Sequence, residues 1–204
     1  MSGTENRAEK PYPTSARVIG IASSAGGLSA LTQVLSCLPS NFPAAILLVQ
    51  HTIPTSRSHL AEILGRRTTL SVRLAVGGDH IQPGVVYVAP PDSHLTVDSE
   101  GGMALSQLAP VHFVRPSADP LFESLALSFG PRAVAVVLTG MGHDGTDGAQ
   151  AVKLSGGTVL VQNESTSEFF GMPGAAINAG LIEHVLPLDQ IAEALVLLAE
   201  ETPA

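Results

Sequence analysis

The chain has 204 residues, 45% hydrophobic and only 14% charged, with 20 glycines and 15 prolines; this suits one α/β domain with a buried sheet and is too short for two large domains. A formal charge of −8 with no basic run excludes a nucleic-acid surface, because neutralising phosphates requires clustered Lys and Arg. The single cysteine, Cys37, excludes an internal disulfide; there is no apolar signal region, and no apolar run reaches the roughly 18 residues of a membrane span, so a soluble, cytoplasmic protein is expected.

In chain order, residues 1–16 are polar, carry Pro11 and Pro13, and read as a disordered leader to a single folded domain over 17–204. Val18–Ala22 is an apolar run that stops at Ser23-Ser24 and the glycine turn Ala25-Gly26-Gly27, followed by a helical pattern over Leu28–Cys37 in which Cys37 is expected as a small core residue. Further apolar runs at Ala45–Gln50, Val85–Ala89, Ala133–Thr139 and Thr158–Gln162, with a sixth at Ile182–Leu186, are bounded by Gly, Pro, Ser or Asp as buried strands are. Helical patterns lie at Ser58–Gly65, Pro120–Phe129, Gly145–Leu154, Pro173–Ala179 and Leu188–Glu201. Leu95–Leu108, with Gly101-Gly102 inside it, reads as a small hairpin. Strands alternating with helices predict a doubly wound, mostly parallel sheet covered by helices on both faces, Rossmann-like, with the hairpin as an insertion.

In such a sheet, function concentrates outside the carboxyl ends of the strands. There the first strand delivers Ser24, the second His51, and the Ala133–Thr139 strand the loop Gly140-Met141-Gly142-His143-Asp144-Gly145. A serine on a strand-to-helix turn, a histidine to take its proton and a carboxylate to orient the imidazole are the parts of an acyl-transfer triad, whatever their order in the chain. Each has a plainer explanation. Ser24 suits a helix cap and Ser23 is its neighbour on the same turn; His51 suits a strand end, and Asp144 or Asp147 suits the cap of the following helix. Metal binding by His51, His143, Asp144 and Asp147 lacks paired helical histidines or a CxxC. Dinucleotide binding lacks both GxGxxG and an acidic residue at the end of the second strand, where Gln50 and His51 stand.

Six ordered segments then resemble one family. They are Ala22-Ser23-Ser24-Ala25-Gly26-Gly27, Val49-Gln50-His51, Gly84-Val85-Val86-Tyr87-Val88-Ala89-Pro90-Pro91, Arg115-Pro116-Ser117-Ala118-Asp119-Pro120-Leu121-Phe122, Leu138-Thr139-Gly140-Met141-Gly142-His143-Asp144-Gly145 and Phe170-Gly171-Met172-Pro173. From about Val18 to Glu200 the chain resembles the catalytic domain of the chemotaxis protein-glutamate methylesterases, the CheB family. The resemblance implies Ser24 rather than Ser23 as nucleophile, His51 as base and Asp144 as its carboxylate. It implies hydrolysis of γ-glutamyl methyl esters, with possible deamidation of glutamines, on the cytoplasmic helices of methylated chemoreceptors, with no cofactor and no metal. Backbone N–H groups near Met141 and Gly142 and at Ala25, Gly26 and Gly27 are the expected oxyanion donors. Arg115, Pro116, Ser117 and the loop from Asn163 to Met172 are expected to line the cleft, with Asn163 and Glu164 positioning substrate. The chain departs from the family's common pattern at Ala25, where Thr is common, at His143, where Asn is frequent, and at Gly174, where Arg is frequent. A receiver domain before the catalytic one is not expected from the short stretch preceding the first strand, which leaves constitutive activity, a separate regulatory protein or a different pathway open. The competing expectation is a catalytically silent module that docks a receptor helix or signalling partner in the same cleft.

Overall fold

A computed structural model describes residues 12–51, 59–180, 182 and 184–201. Seven strands form one sheet in the order β3-β4-β2-β1-β7-β8-β9, every neighbouring pair parallel. They are β1 (Val18–Ser23), β2 (Ala45–Gln50), β3 (Ser71–Leu74), β4 (Val85–Val88), β7 (Ala133–Val137), β8 (Thr158–Gln162) and β9 (His184–Leu186). The antiparallel pair β5 (His94–Val97) and β6 (Met103–Ser106) is the expected hairpin. Among the described residues six α-helices accompany the strands: α1 (Gly27–Ser36), α2 (Leu60–Gly65), α3 (Ala118–Phe129), α4 (Thr146–Leu154), α5 (Gly171–Asn178) and α6 (Leu188–Glu200).

β1, β2 and β7 are buried along almost their whole lengths, as continuous apolar runs in the middle of a parallel sheet must be. Successive side chains divide between two cores. Along β1, Val18 and Ala22 join Phe122, Leu125 and Val152 from α3 and α4 on one face, while Ile19 and Ile21 join Leu31, Leu64 and Ile191 from α1, α2 and α6 on the other. Gly20 belongs to the α3 face: a Cβ there would lie 2.6 Å from Leu125 and 2.8 Å from Phe122, so the missing side chain lets α3 rest directly on β1. The strand order reverses between β2 and β7 on either side of β1, which opens a crevice at their carboxyl ends.

Three expectations change. β3 lies outside the predicted elements because Ser71 to Leu74 is a mostly exposed edge strand with no apolar run to mark it; Arg73 there donates to the Tyr87 hydroxyl at 3.1 Å and covers its ring. Tyr12, assigned to the disordered leader, is 6% exposed. Its hydroxyl donates to the Arg17 carbonyl at 2.7 Å and accepts from Ala45 N at 2.9 Å, and its ring meets Phe129 edge-on. Cys37 is exposed, because α1 ends at Ser36 and the chain buries Leu38 in its place. Residues 1–11 of the expected leader and Ser58 of the expected second helix lie outside the described residues. No helix among the described residues is long and apolar enough to cross a membrane.

Candidate active site

β1 and β2 run in register with Ser23 opposite Gln50, so Ser24 and His51 leave adjacent strand ends, where neighbouring backbones stand about 4.8 Å apart. The two serines of the turn face opposite ways. Ser23 is wholly buried and donates to Gln50 Oε1 at 2.7 Å, whereas Ser24 is partly exposed and lines a groove of about 680 Å³ with Gly27, Leu28, Gln50, Ile63 and Arg67. Among the described residues, Ser24 Oγ makes no hydrogen bond. Nor does Ser24 cap α1: the capping position is Gly26, in the left-handed region at φ 76° that favours glycine, and no side chain caps the helix. Gly27 N, expected as an oxyanion donor, is taken by the Ser24 carbonyl at 2.9 Å, whereas no side chain caps the N–H groups that follow it in the first turn of α1, and the N–H groups of Ala25 and Met141 have no partners among the described residues.

His51, which does not line that groove, is held by Asp144. Its Nε2 lies 2.7 Å from Asp144 Oδ2, and its side chain is 12% exposed. Asp144 does not cap α4, whose capping residue is Gly145 without a side-chain bond. Instead its carboxylate sits at the start of α3, accepting from Ala118 N at 2.7 Å and from the Ser117 hydroxyl. Burial pushes the Asp144 carboxyl up, but the hydrogen bonds from His51, Ser117 and Ala118 outweigh burial and hold it below the usual carboxylate range. Ser24 Oγ and His51 do not share a hydrogen bond among the described residues.

The other expected residues separate. Ser117 is fully buried and steadies Asp144, while its own N–H donates to His94 Nδ1 at 3.2 Å. Met172 is buried, and a Cβ on Gly140 would meet both its sulfur and Ser24 Cβ, so it packs under the serine turn and does not face substrate. Met141 is 64% exposed and Gly142 takes a left-handed φ of 85°, and neither lines the groove beside Ser24. Arg115 is a brace: its guanidinium donates to Asp92 Oδ1 and to the carbonyls of Gln107 and Leu108 at 2.9 and 2.8 Å. Asn163 is a turn cap, its side-chain oxygen accepting from Thr166 N at 3.1 Å and from the Thr166 hydroxyl at 2.8 Å; Glu164 follows it in the short turn Glu164–Thr166. A short polar side chain next to a loop looks the same in sequence whether it closes the loop or faces the ligand.

Sequence reasoning passed over three supports. Gln50 donates through Nε2 to the Ser24 carbonyl at 2.8 Å and the His51 carbonyl at 3.2 Å, joining the backbones of both residues. Gln162 plays the same part on the other side, accepting from Thr139 N at 2.8 Å and donating to the Thr166 carbonyl at 2.7 Å. Both end apolar strands, and a glutamine at the close of a buried run is the signal that identifies them. Asp119 is 2% exposed and accepts from Gly148 N at 2.7 Å; burial, with the nearby charge of Asp144, raises its pKa to about 6.

Residues 19–195 match the model of the CheB methylesterase family. The chain belongs to that family. A CheB methylesterase catalytic domain from Thermotoga maritima, solved as a crystal structure, superimposes with a TM-score of 0.87 at 39% identity, covering 90% of this chain and 99% of that one. A protein-glutamate methylesterase/protein-glutamine glutaminase of Caulobacter vibrioides is 49% identical over 84% of this chain and 50% of its own length. One from Rhizobium meliloti is 40% identical over 95% of this chain and 56% of its own length. The chain thus spans about half the length of the curated relatives it matches.

Proposed function

We propose that this chain is a serine carboxylic ester hydrolase that removes methyl groups from γ-glutamyl methyl esters on the cytoplasmic helices of chemoreceptors, and that it deamidates glutamines at equivalent positions. The observation that carries the reading is the pairing of an unbonded serine hydroxyl in the groove with a histidine fixed by a buried carboxylate. The printed names of the relatives, protein-glutamate methylesterase and protein-glutamine glutaminase, support the substrate class.

With Nε2 engaged by Asp144, His51 offers Nδ1 as the base. Ser24 Oγ attacks the ester carbonyl as its proton passes to Nδ1, and the tetrahedral oxyanion forms beside the N–H groups of the serine turn and Met141. Collapse breaks the carbonyl–methoxy bond, and His51 returns the proton to release methanol and leave an acyl-serine. Water, deprotonated by the same nitrogen, attacks the acyl-serine to give the glutamate carboxylate and regenerate Ser24. Asp144, held as the carboxylate, stabilises the imidazolium at each transfer. With an amide substrate the leaving group is ammonia. Hydrogen bonds of this kind commonly tighten only when substrate is bound, which accommodates the separation of Ser24 from His51.

The test is methylated chemoreceptor membranes incubated with the protein, followed by peptide mass analysis and a methanol assay. The reading expects methanol and the loss of one CH2 from each methylated glutamyl peptide. Tight receptor binding with no methanol and unchanged peptide masses would contradict it in favour of a docking module, the reading that the missing Ser24–His51 bond favours.

A further inference from the structure

The structure gathers a second cluster that the proposed hydrolysis does not use. We propose that His112, Asp119 and Asp147 form a binding site for one divalent first-row metal ion, of the zinc type. One ligand atom from each residue lies within 4.8 Å of the others. His112 Nε2 is 3.1 Å from Asp119 Oδ2 and 3.8 Å from Asp147 Oδ2. In four-coordinate zinc sites with bonds of about 2.0–2.2 Å, ligand atoms stand about 3.3–3.5 Å apart; the two His112 distances lie either side of that spacing, and the Asp119 and Asp147 oxygens are within 4.8 Å of each other. One imidazole and two carboxylates suit such an ion, and the exposed side at Asp147, 68% accessible, leaves an entry path and room for a water as fourth ligand.

The independent pointer to a ligand is Asp119 Oδ2. Its side chain is 3% exposed, its other oxygen is occupied by Gly148 N, and Oδ2 itself makes no hydrogen bond although His112 Nε2 is near. A buried carboxylate oxygen that His112 meets as an ion-pair neighbour but outside hydrogen-bond geometry is under-satisfied, and a cation shared with His112 and Asp147 satisfies it. Two ligand atoms that converge on a common ion are close without pointing at each other, which is the relation of these two.

The surroundings hold the donors in place. Asp119 and Asp147 stand in the first turns of α3 and α4. His112 lies at the tip of a loop closed by reciprocal backbone hydrogen bonds between Val111 and Val114, with φ at 50°, a conformation uncommon for any residue but glycine. Behind it, His143 Nε2 lies 3.0 Å from His112 Nδ1. A hydrogen bond from the His112 Nδ1–H to His143 Nε2 leaves the His112 Nε2 lone pair free for the ion, the outer-shell arrangement usual for ligating histidines.

The test is zinc chloride titrated calorimetrically into the chelator-treated full chain, with cobalt(II) absorption as a spectroscopic readout. Wild type is expected to bind one equivalent saturably, give visible cobalt bands and gain thermal midpoint with zinc. His143→Gln is expected to weaken binding by about 10–100-fold, and Asp147→Asn and His112→Gln to lose saturable binding. Asp147 is exposed, so its variant keeps the test valid if His112→Gln folds poorly; metal-free circular dichroism monitors this. Absence of a saturable equivalent in wild type, or equal affinity in Asp147→Asn, would overturn the site and leave His112 as an ion-pair partner of Asp119 alone.

Discussion

Asp144 joins two structures with different needs, the imidazole of His51 and the amino end of α3. Ser117 connects them, since its hydroxyl donates to Asp144 while accepting from Asp119 N at the helix cap. Ser117→Ala leaves a buried carboxylate oxygen without its donor, and we expect about 1–3 kcal/mol of lost stability, read as a lower denaturant midpoint. The pH dependence follows from the same bonds. Because the folded pKa of Asp144 lies below the ordinary 3.8, its contribution is fully present above that value and is lost as pH falls from there through the folded pKa. A wild-type thermal midpoint that falls more steeply below pH 4 than that of Asp144→Asn is the expected outcome; parallel curves would show that the carboxylate is not held by these bonds.

At the scale of elements, the contact of α3 with β1 places Asp144, Ser117 and the cleft around one strand end. Gly20 permits it, and Gly20→Ala is expected to cost about 1–3 kcal/mol as the new methyl meets Leu125 and Phe122; calorimetric unfolding measures the loss. Most of this framework was legible before the structure: β1, β2, β7 and β8 are uninterrupted apolar runs, and buried parallel strands have that pattern. β3 was not, because an exposed edge strand such as Ser71–Leu74 carries no such run. In the candidate site, the closeness of His51 to Asp144 was legible because both follow strand ends, whereas the loop-closing bonds of Arg115, expected to line the cleft, and of Asn163, expected to position substrate, were not. Local sequence does not distinguish those uses, since both need the same donors and acceptors. Asp119 and His112 were hidden for another reason: they meet only through the packing of α3, α4 and the loop before α3.

For the molecule as a whole, the folded unit begins before the first strand. Tyr12 closes the lower edge of the α3 core and satisfies Ala45 N, so Tyr12→Ala is expected to cost about 3–5 kcal/mol, visible as a lower denaturant midpoint; an unchanged midpoint would place Tyr12 outside the cooperative core. The sheet, its two cores and the crevice beside β1 together bring a serine, a histidine and a carboxylate from three separate strand ends to one place. The most direct measurement of that arrangement is the initial rate of methanol release from methylated receptor membranes by wild type, Ser24→Ala and His51→Gln. The account predicts a drop to background for Ser24→Ala and of about 10²–10⁴-fold for His51→Gln, with folding retained. Release by Ser24→Ala at the wild-type rate would contradict it.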